Sequence, residues 1–407
     1  MTPKAGIDLE RLERWSKHLR ETYLDTGILP NALTLVYRRG EVVYQDKQGW
    51  ADIERGISLR EDSIFRIYSM TKPITSLALM MLVEEGQVTL SDPVSAYIPA
   101  WAGLEVYAGG EYGAYQTAPP TRPMQVVDLL RHTAGLSYFI QQGGKLDAAY
   151  RSLGLGTKTT LEEFITQLGT LPLEFSAGEA WHYSAATDVV GYLVGLISGQ
   201  PFEQFVKERI LLPLGMTDTD FWVPPEKAER FMTCYALTEQ GRVVFDDVQR
   251  SPYLAPPHFV SGGGGLVGTA ADYLRFCRML LRGGELDGVR LVGPKTLELM
   301  TMNHLPNGAD MAALARSPIA LSESGSVGVG FGLGFAVTLD PARTLTQGNA
   351  GDFYWGGAAG TYFWVDPKED LAVIFMTQLL FSPDRIRRTL RTMVYSALTD
   401  RLHETQA

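Results

Sequence analysis

The sequence predicts an α+β fold: a mainly antiparallel sheet assembled from both ends of the chain, flanked by helices, with a mostly helical insertion. Three observations carry this. Residues 32–38 and 41–45 are apolar or alternating runs around Arg39-Gly40, the pattern of a hairpin. Residues 362–365 and 371–376 are two more such runs, joined by the turn-forming Asp366-Pro367-Lys368-Glu369-Asp370. Between these ends the patterning is helical, near 126–132, 160–168, 186–198 and 201–211. Strands at both termini with helices between them imply one sheet that draws the termini together. The expected division is a discontinuous sheet domain, 1–90 with 265–407, and a mostly helical domain, 91–264, with the active site between them.

In chain order, residues 7–24 read as an amphipathic helix, followed by the first hairpin. Ile74, Leu77, Ala78, Met81 and Leu82 then fall at helical spacing on one stripe, with Pro73 pinning the first turn and Gly86 placed to end the helix. Residues 92–125 are rich in Pro, Gly and aromatics and read as a long surface excursion. Its aromatics Trp101, Tyr107, Tyr112 and Tyr115, with Tyr138 and Phe139, are expected to help line the entrance to a site. Val190, Leu193, Val194 and Ile197 give a second apolar stripe. Gly262-Gly263-Gly264-Gly265 lacks the lysine and spacing of a phosphate-binding loop, so it reads as a tight turn before a helix capped by Thr269. A final helix is expected over about 383–403.

Composition narrows the class. The chain has 407 residues, 45% hydrophobic and 20% charged, which suits a globular protein with ample core. A net charge of −10 disfavours nucleic acid and anionic lipid as partners. No run is long and apolar enough to span a bilayer, and the N-terminus has no apolar signal core. Two distant cysteines, Cys234 and Cys277, suggest no disulfide framework, so a cytoplasmic location is expected.

The chemistry-bearing stretch is Tyr68-Ser69-Met70-Thr71-Lys72-Pro73. Ser69 and Lys72, three apart at a helix start, share one face. A serine hydroxyl is a poor nucleophile until a base takes its proton, and a lysine can be that base when burial or a helix N-terminus favours its neutral form. The free N–H groups of the first turn suit an oxyanion. Chance occurrence of S-x-x-K is common, so the rest of the chain must decide.

Competing machinery is missing. No G-x-S-x-G elbow is present, and the histidines His18, His132, His182, His258, His304 and His403 form no H-E-x-x-H or other close ligand pair. His132, in Leu129-Leu130-Arg131-His132-Thr133-Ala134-Gly135, reads as a helix-to-loop junction. Tyr183, in Trp181-His182-Tyr183-Ser184-Ala185, is either a packed aromatic or a proton relay for a serine–lysine pair. Trp355-Gly356-Gly357-Ala358-Ala359-Gly360 is either a glycine-rich turn or an edge strand that substrate approaches closely, with a backbone N–H as second oxyanion donor.

The order S-x-x-K, tyrosine motif, glycine-rich strand motif resembles the class C β-lactamase and D-alanyl-D-alanine-peptidase superfamily. Residues 128–136, Leu212-Pro213-Leu214-Gly215-Met216 and Gly263-Gly264-Gly265-Leu266 extend the resemblance over roughly residues 10–400. Ser69-Met70-Thr71-Lys72 with Trp355-Gly356-Gly357 is most similar to the family VIII carboxylesterases, then to the fungal statin-type acyltransferases. The resemblance implies a β-lactamase-like fold and catalysis by Ser69, Lys72 and Tyr183. It also implies an oxyanion site at the N–H groups of Ser69 and Ala358, and substrate contacts at Trp355, Gly356 and Gly357, with no cofactor or metal. The lactamases carry Tyr-x-Asn and Lys-Thr-Gly where this chain has Ala185 and Trp355-Gly356-Gly357. Loss of those anchors for an anion favours a small neutral ester. The alternatives are an acyltransferase on the same residues, a β-lactamase or peptidase, and a non-catalytic binding protein.

Overall fold

The computed structural model describes residues 4–111, 113–138, 146–153, 159–316 and 327–400. Its centre is an eight-stranded sheet built from β1 (Asn31–Arg38), β2 (Glu41–Asp52), β3 (Ile57–Ser58), β4 (Val329–Phe331), β5 (Ala336–Thr338), β6 (Phe353–Gly356), β7 (Tyr362–Asp366) and β8 (Leu371–Met376). The spatial order is β4-β5-β6-β7-β8-β1-β2-β3, and every neighbouring pair is antiparallel. The expected closure of the two ends is the β1–β8 pair, with Leu33 opposite Met376 and Leu35 opposite Ile374. The hairpin turn places Arg39 and Gly40 at φ 51° and 92°, a left-handed pair that matches the strand twist.

All eight residues of β1 and all six of β8 are buried, because helices cover both faces of the sheet. On one face lies α1 (Leu9–Leu19), whose Trp15 donates from Nε1 to Thr34 at 2.9 Å and sets its ring 5.9 Å from Phe375. Thr34 and Phe375 are register partners, so both point to this face. On the other face is α4 (Ala270–Leu281), whose Tyr273 packs 4.9 Å from Phe363 of β7; α2 (Thr71–Glu84) lies beyond it and packs against α3 (Ala186–Ser198). The last helix, α5 (Arg385–Ser396), rejoins α1.

Several boundaries differ from the sequence reading. The N-terminal helix passes at Leu19 into a π turn, Arg20–Leu24, and the helix beginning at Phe202 does the same over Lys207–Leu211. The last helix stops at Ser396, and His403 lies outside the described residues. The 92–125 excursion carries an exposed hairpin, Val106–Glu111 with Ala114–Ala118. A third group of strands, Cys234–Thr238, Gly241–Asp246 and Leu379–Leu380, has no clear sequence signal because its strands are short and half exposed. Cys234 and Cys277 are buried and unpaired, and no helix among the described residues is long and apolar enough to cross a membrane.

One buried charge ties the closure together. Arg38, at the end of β1 and 0% exposed, donates to Glu369 Oε2 at 2.8 Å and to the Glu369 carbonyl at 3.1 Å. It also donates to the carbonyls of Ala5 and Gly6 at 3.1 and 3.0 Å and to Asp400 at 2.8 Å. Arg38→Ala leaves these acceptors without their donor, so it is expected to destabilise the protein by about 3–5 kcal/mol in urea unfolding.

Candidate active site

The chain reaches Ser69 through a strained turn. Arg66, fully buried, is anchored by Asp246 at 2.7 Å and the Met232 carbonyl at 2.6 Å. Tyr68 then takes φ +43°, an uncommon conformation for an aromatic residue. A 3₁₀ turn, Tyr68–Met70, leads directly into α2, so Ser69 sits just ahead of the helix N-terminus. Pro73 is the third residue of that helix, where its missing N–H costs nothing, and Gly86 closes the far end at φ 72°.

The predicted apolar stripe on α2 is an understatement. Every residue from Thr71 to Leu82 is buried, polar ones included. The polar side chains are satisfied internally: Thr71 Oγ1 accepts the Leu266 N–H at 3.1 Å, and Thr75 donates to the Gly262 carbonyl at 2.8 Å. Lys72, 1% exposed, donates to the Gly263 carbonyl at 2.6 Å and to Ser69 Oγ at 3.2 Å. Tyr183 meets the same oxygen from the other side, its hydroxyl 2.7 Å from Ser69 Oγ. Two residues from two separated motifs, Lys72 and Tyr183, thus converge on the hydroxyl oxygen of Ser69. Lys72 Nζ also lies 4.6 Å from the centre of the Tyr183 ring and 5.4 Å from that of Tyr138.

The glycine run, read from sequence as a turn, belongs to this site. None of Gly262, Gly263, Gly264 or Gly265 has a positive φ, so handedness is not what requires them. Close approach is. A Cβ on Gly262 would stand 2.7 Å from the Thr187 carbonyl, and one on Gly263 would stand 2.7 Å from Asp188 Oδ2. The run threads between α2 and α3 as a strap, and Asp188 receives it: Oδ1 accepts the Gly263 N–H at 2.9 Å and the Ser261 hydroxyl at 2.6 Å. Burial pushes the Asp188 carboxyl up, against the opposing pull of the Ser261 hydroxyl, the Lys72 charge and the Gly263 N–H. Sequence reasoning missed Asp188, because its only signal is a carboxylate on the otherwise apolar face of a helix.

Around Tyr183 the packing is aromatic. His132 lies 4.8 Å from its ring, Trp355 5.5 Å, Tyr138 5.7 Å and Trp181 6.3 Å. His132 ends the helix Val126–Leu130 in a left-handed conformation, φ 57°, and its carbonyl accepts the His182 N–H at 2.9 Å, as the junction reading expects. Burial, then the Lys72 charge, holds its imidazole well below the usual range, so it stays neutral. A cavity of about 250 Å³ opens beside the nucleophile turn, lined by Tyr68, Tyr138, Asp188, Phe221, Tyr253 and Phe259, among others. Of the aromatics expected at the entrance, Tyr138 is there. Trp101 is instead buried against Ile165, and Tyr107 and Tyr115 meet edge-to-face in the exposed hairpin. Tyr112 and Phe139 lie outside the described residues.

Trp355 and Gly356 end β6, which is not an edge strand: β5 and β7 flank it. The β5 pairing stops at Tyr354, however, so the edge facing β5 is unpaired from Trp355 onward. The indole of Trp355 is 2% exposed, and its N–H has no partner among the described residues. A side chain on Gly356 or Gly357 would not point into open space. A Cβ on Gly356 would meet the Arg387 guanidinium at 2.6 Å, and one on Gly357 would meet Thr361 Oγ1 at 2.2 Å and the Ile67 carbonyl at 2.4 Å. Gly357 thus lets the strand end press against Ile67, which precedes Ser69, and Gly356 leaves room for Arg387. Ala358 follows, exposed in a turn closed by the Gly360 N–H on the Gly357 carbonyl at 3.0 Å.

Comparison with known proteins places this geometry. The Beta-lactamase family model matches residues 17–395. The chain belongs to that family. Protein Rv1367c of Mycobacterium tuberculosis is 38% identical over 357 residues, covering 87% of each chain. Esterase EstB of Burkholderia gladioli is 31% identical over 374 residues, again 87% of each. Among solved structures, EstCE1, described as a hydrolase with promiscuous acyltransferase activity, superposes with a TM-score of 0.79 at 27% identity, covering 95% of this chain and 99% of that one. The protein is a serine hydrolase with the β-lactamase-like fold.

In this member of the beta-lactamase family the glycines after β6 are packing requirements. Gly357→Ala is therefore expected to cost about 1–3 kcal/mol by overpacking, read by urea unfolding.

Proposed function

We propose that the protein is a carboxylesterase acting on small neutral esters through an acyl-enzyme on Ser69. The convergence of Lys72 and Tyr183 on Ser69 Oγ carries this reading. Ser69 can attack only when one partner is unprotonated, either the Lys72 amine or the Tyr183 phenol oxygen. Two groups this close to one oxygen share that single vacancy, so the pair acts as one base. The Oγ–carbon bond forms as the proton passes to the pair, and the carbonyl oxygen becomes an oxyanion held by the N–H groups of Ser69 and Ala358. Tyr183 returns the proton to the departing alcohol. Water, activated by the same pair, then releases the acid. Trp355 supplies an apolar wall and an indole N–H without a described partner. The residue pattern and the likeness to EstB support an ester substrate. The same reading keeps the division into a sheet unit, 1–90 with 265–407, and a helical unit, 91–264, with the site between them. It also keeps a cytoplasmic setting.

The second reading, acyl transfer, uses the same acyl-enzyme with an alcohol in place of water. The likeness to EstCE1 favours keeping it. Adding an alcohol acceptor to an ester assay and measuring the ratio of new ester to free acid separates the two.

Ser69→Ala is expected to abolish hydrolysis of p-nitrophenyl butyrate while the circular dichroism spectrum is retained. Near-normal turnover would sink the mechanism. Lys72→Ala is expected to be as damaging and Tyr183→Phe nearly so, and the Ser69/Lys72 double variant no worse than either single one. Losses that add would mean the two residues do not share a step. Where the lactamases carry a lysine, Trp355 offers a carboxylate no charge, and one charge-assisted hydrogen bond is worth about 1.5–3 kcal/mol, or roughly one to two decades in specificity. The kcat/KM for p-nitrophenyl butyrate should therefore exceed that for a penicillin on one preparation. The reverse order would restore the lactamase alternative.

A further inference from the structure

We infer that Asp188 is a positioning residue for Lys72, acting through the peptide that joins Gly262 to Gly263. The inference rests on the reading of Ser69 and Lys72 given above. That peptide is held at both ends. Its carbonyl, on Gly262, accepts from Thr75 at 2.8 Å, and its N–H, on Gly263, donates to Asp188 Oδ1 at 2.9 Å. With the peptide so fixed, the next carbonyl, that of Gly263, points at Lys72 Nζ from 2.6 Å. Asp188 thus governs the direction from which the lysine is held, and so how its nitrogen stands to Ser69 Oγ at 3.2 Å.

Helix packing does not ask for a carboxyl at this position. Asp188 is 2% exposed in the first turn of α3, among Ala186, Val189, Val190, Gly191, Leu193 and Val194, all buried. Burying a carboxyl there is costly unless it is hydrogen-bonded, and its Oδ1 accepts from both the Gly263 N–H and the Ser261 hydroxyl. Gly263 cannot carry a side chain because Asp188 occupies the space beside it. The glycine and the aspartate are one device, supplied by segments 75 residues apart.

The test uses the full-length protein with p-nitrophenyl butyrate and a fluorophosphonate probe that labels Ser69. Asp188→Ala removes the acceptor, whereas Asp188→Asn keeps an oxygen for both donors. Small misplacements of a catalytic group cost up to two decades, so Asp188→Ala is expected to lower both kcat and the labelling rate constant about 30-fold, with KM changed less than about twofold. Asp188→Asn is expected to recover both to within about fivefold of the parent protein, a rescue that depends on geometry. Thr75→Val loosens the other end of the same peptide and is expected to lower the labelling rate constant about threefold to tenfold, which keeps the test open if Asp188→Ala does not fold.

Unchanged labelling in Asp188→Ala or in Thr75→Val overturns the inference. So does an Asp188→Asn as slow as Asp188→Ala, because the carboxyl would then act by charge and not by holding the strap. Normal labelling in the parent protein without hydrolysis of any ester would sink the esterase reading while the labelling comparison still decides the role of Asp188. A parent protein that is not labelled at all would overturn both.

Discussion

A lysine nitrogen on a side chain with 1% of its surface exposed must find every partner inside the protein, and much of the arrangement around Ser69 follows from satisfying Lys72. The interior supplies it with a carbonyl, a hydroxyl and two aromatic faces. The carbonyl has to come from a backbone segment narrow enough to pass between two helices, hence four glycines in a row. The hydroxyl is the nucleophile itself. The faces belong to Tyr138 and Tyr183, and Tyr183 is the second residue that reaches Ser69. Holding Lys72 and placing Tyr183 beside Ser69 are therefore one structural problem with one solution.

The sheet sets the other boundary of the site. β6 runs past the end of its β5 partner, so Trp355 and the turn after Gly357 stand clear of the ladder while β7 fixes their position. Gly357 lies against the Ile67 carbonyl, two residues before Ser69, and Thr361 Oγ1 reaches the same carbonyl at 3.4 Å. Strand end and nucleophile turn are thus pressed together at backbone distance. Ser69 thus lies between this turn and the aromatic cluster of Tyr138, Tyr183 and Trp355. That cluster is rigid, and it offers π-faces, hydroxyls and an indole N–H where a cation would be needed to hold an anion.

Much of this was legible in one sequence. The two terminal hairpins, the helix after Ser69, the His132 junction and the two motifs converging on Ser69 all have local signatures: alternation, turn residues, helical spacing. Three things lacked them. The strands 329–331 and 336–338 are too short to show a period. The aromatics Trp101, Tyr107 and Tyr115 were expected near the entrance, but composition does not say which way an excursion folds. The glycine run is the turn the sequence predicts, with the Gly265 N–H on the Ser261 carbonyl, but sequence does not separate glycine needed for a left-handed backbone from glycine needed for close approach.

The class of the fold and the residues proposed for the chemistry were legible in the sequence: the S-x-x-K and tyrosine motifs, and that the two ends of the chain share a sheet. Local pattern suffices there because helix spacing and strand alternation are set by neighbours in the chain. The tertiary structure alone decided that α2 is buried on every side, that β6 is flanked yet partly unpaired, and that Asp188 meets Gly263. Those facts depend on packing between segments tens to hundreds of residues apart. A glycine or an aspartate carries no record of its distant partner in its own neighbourhood.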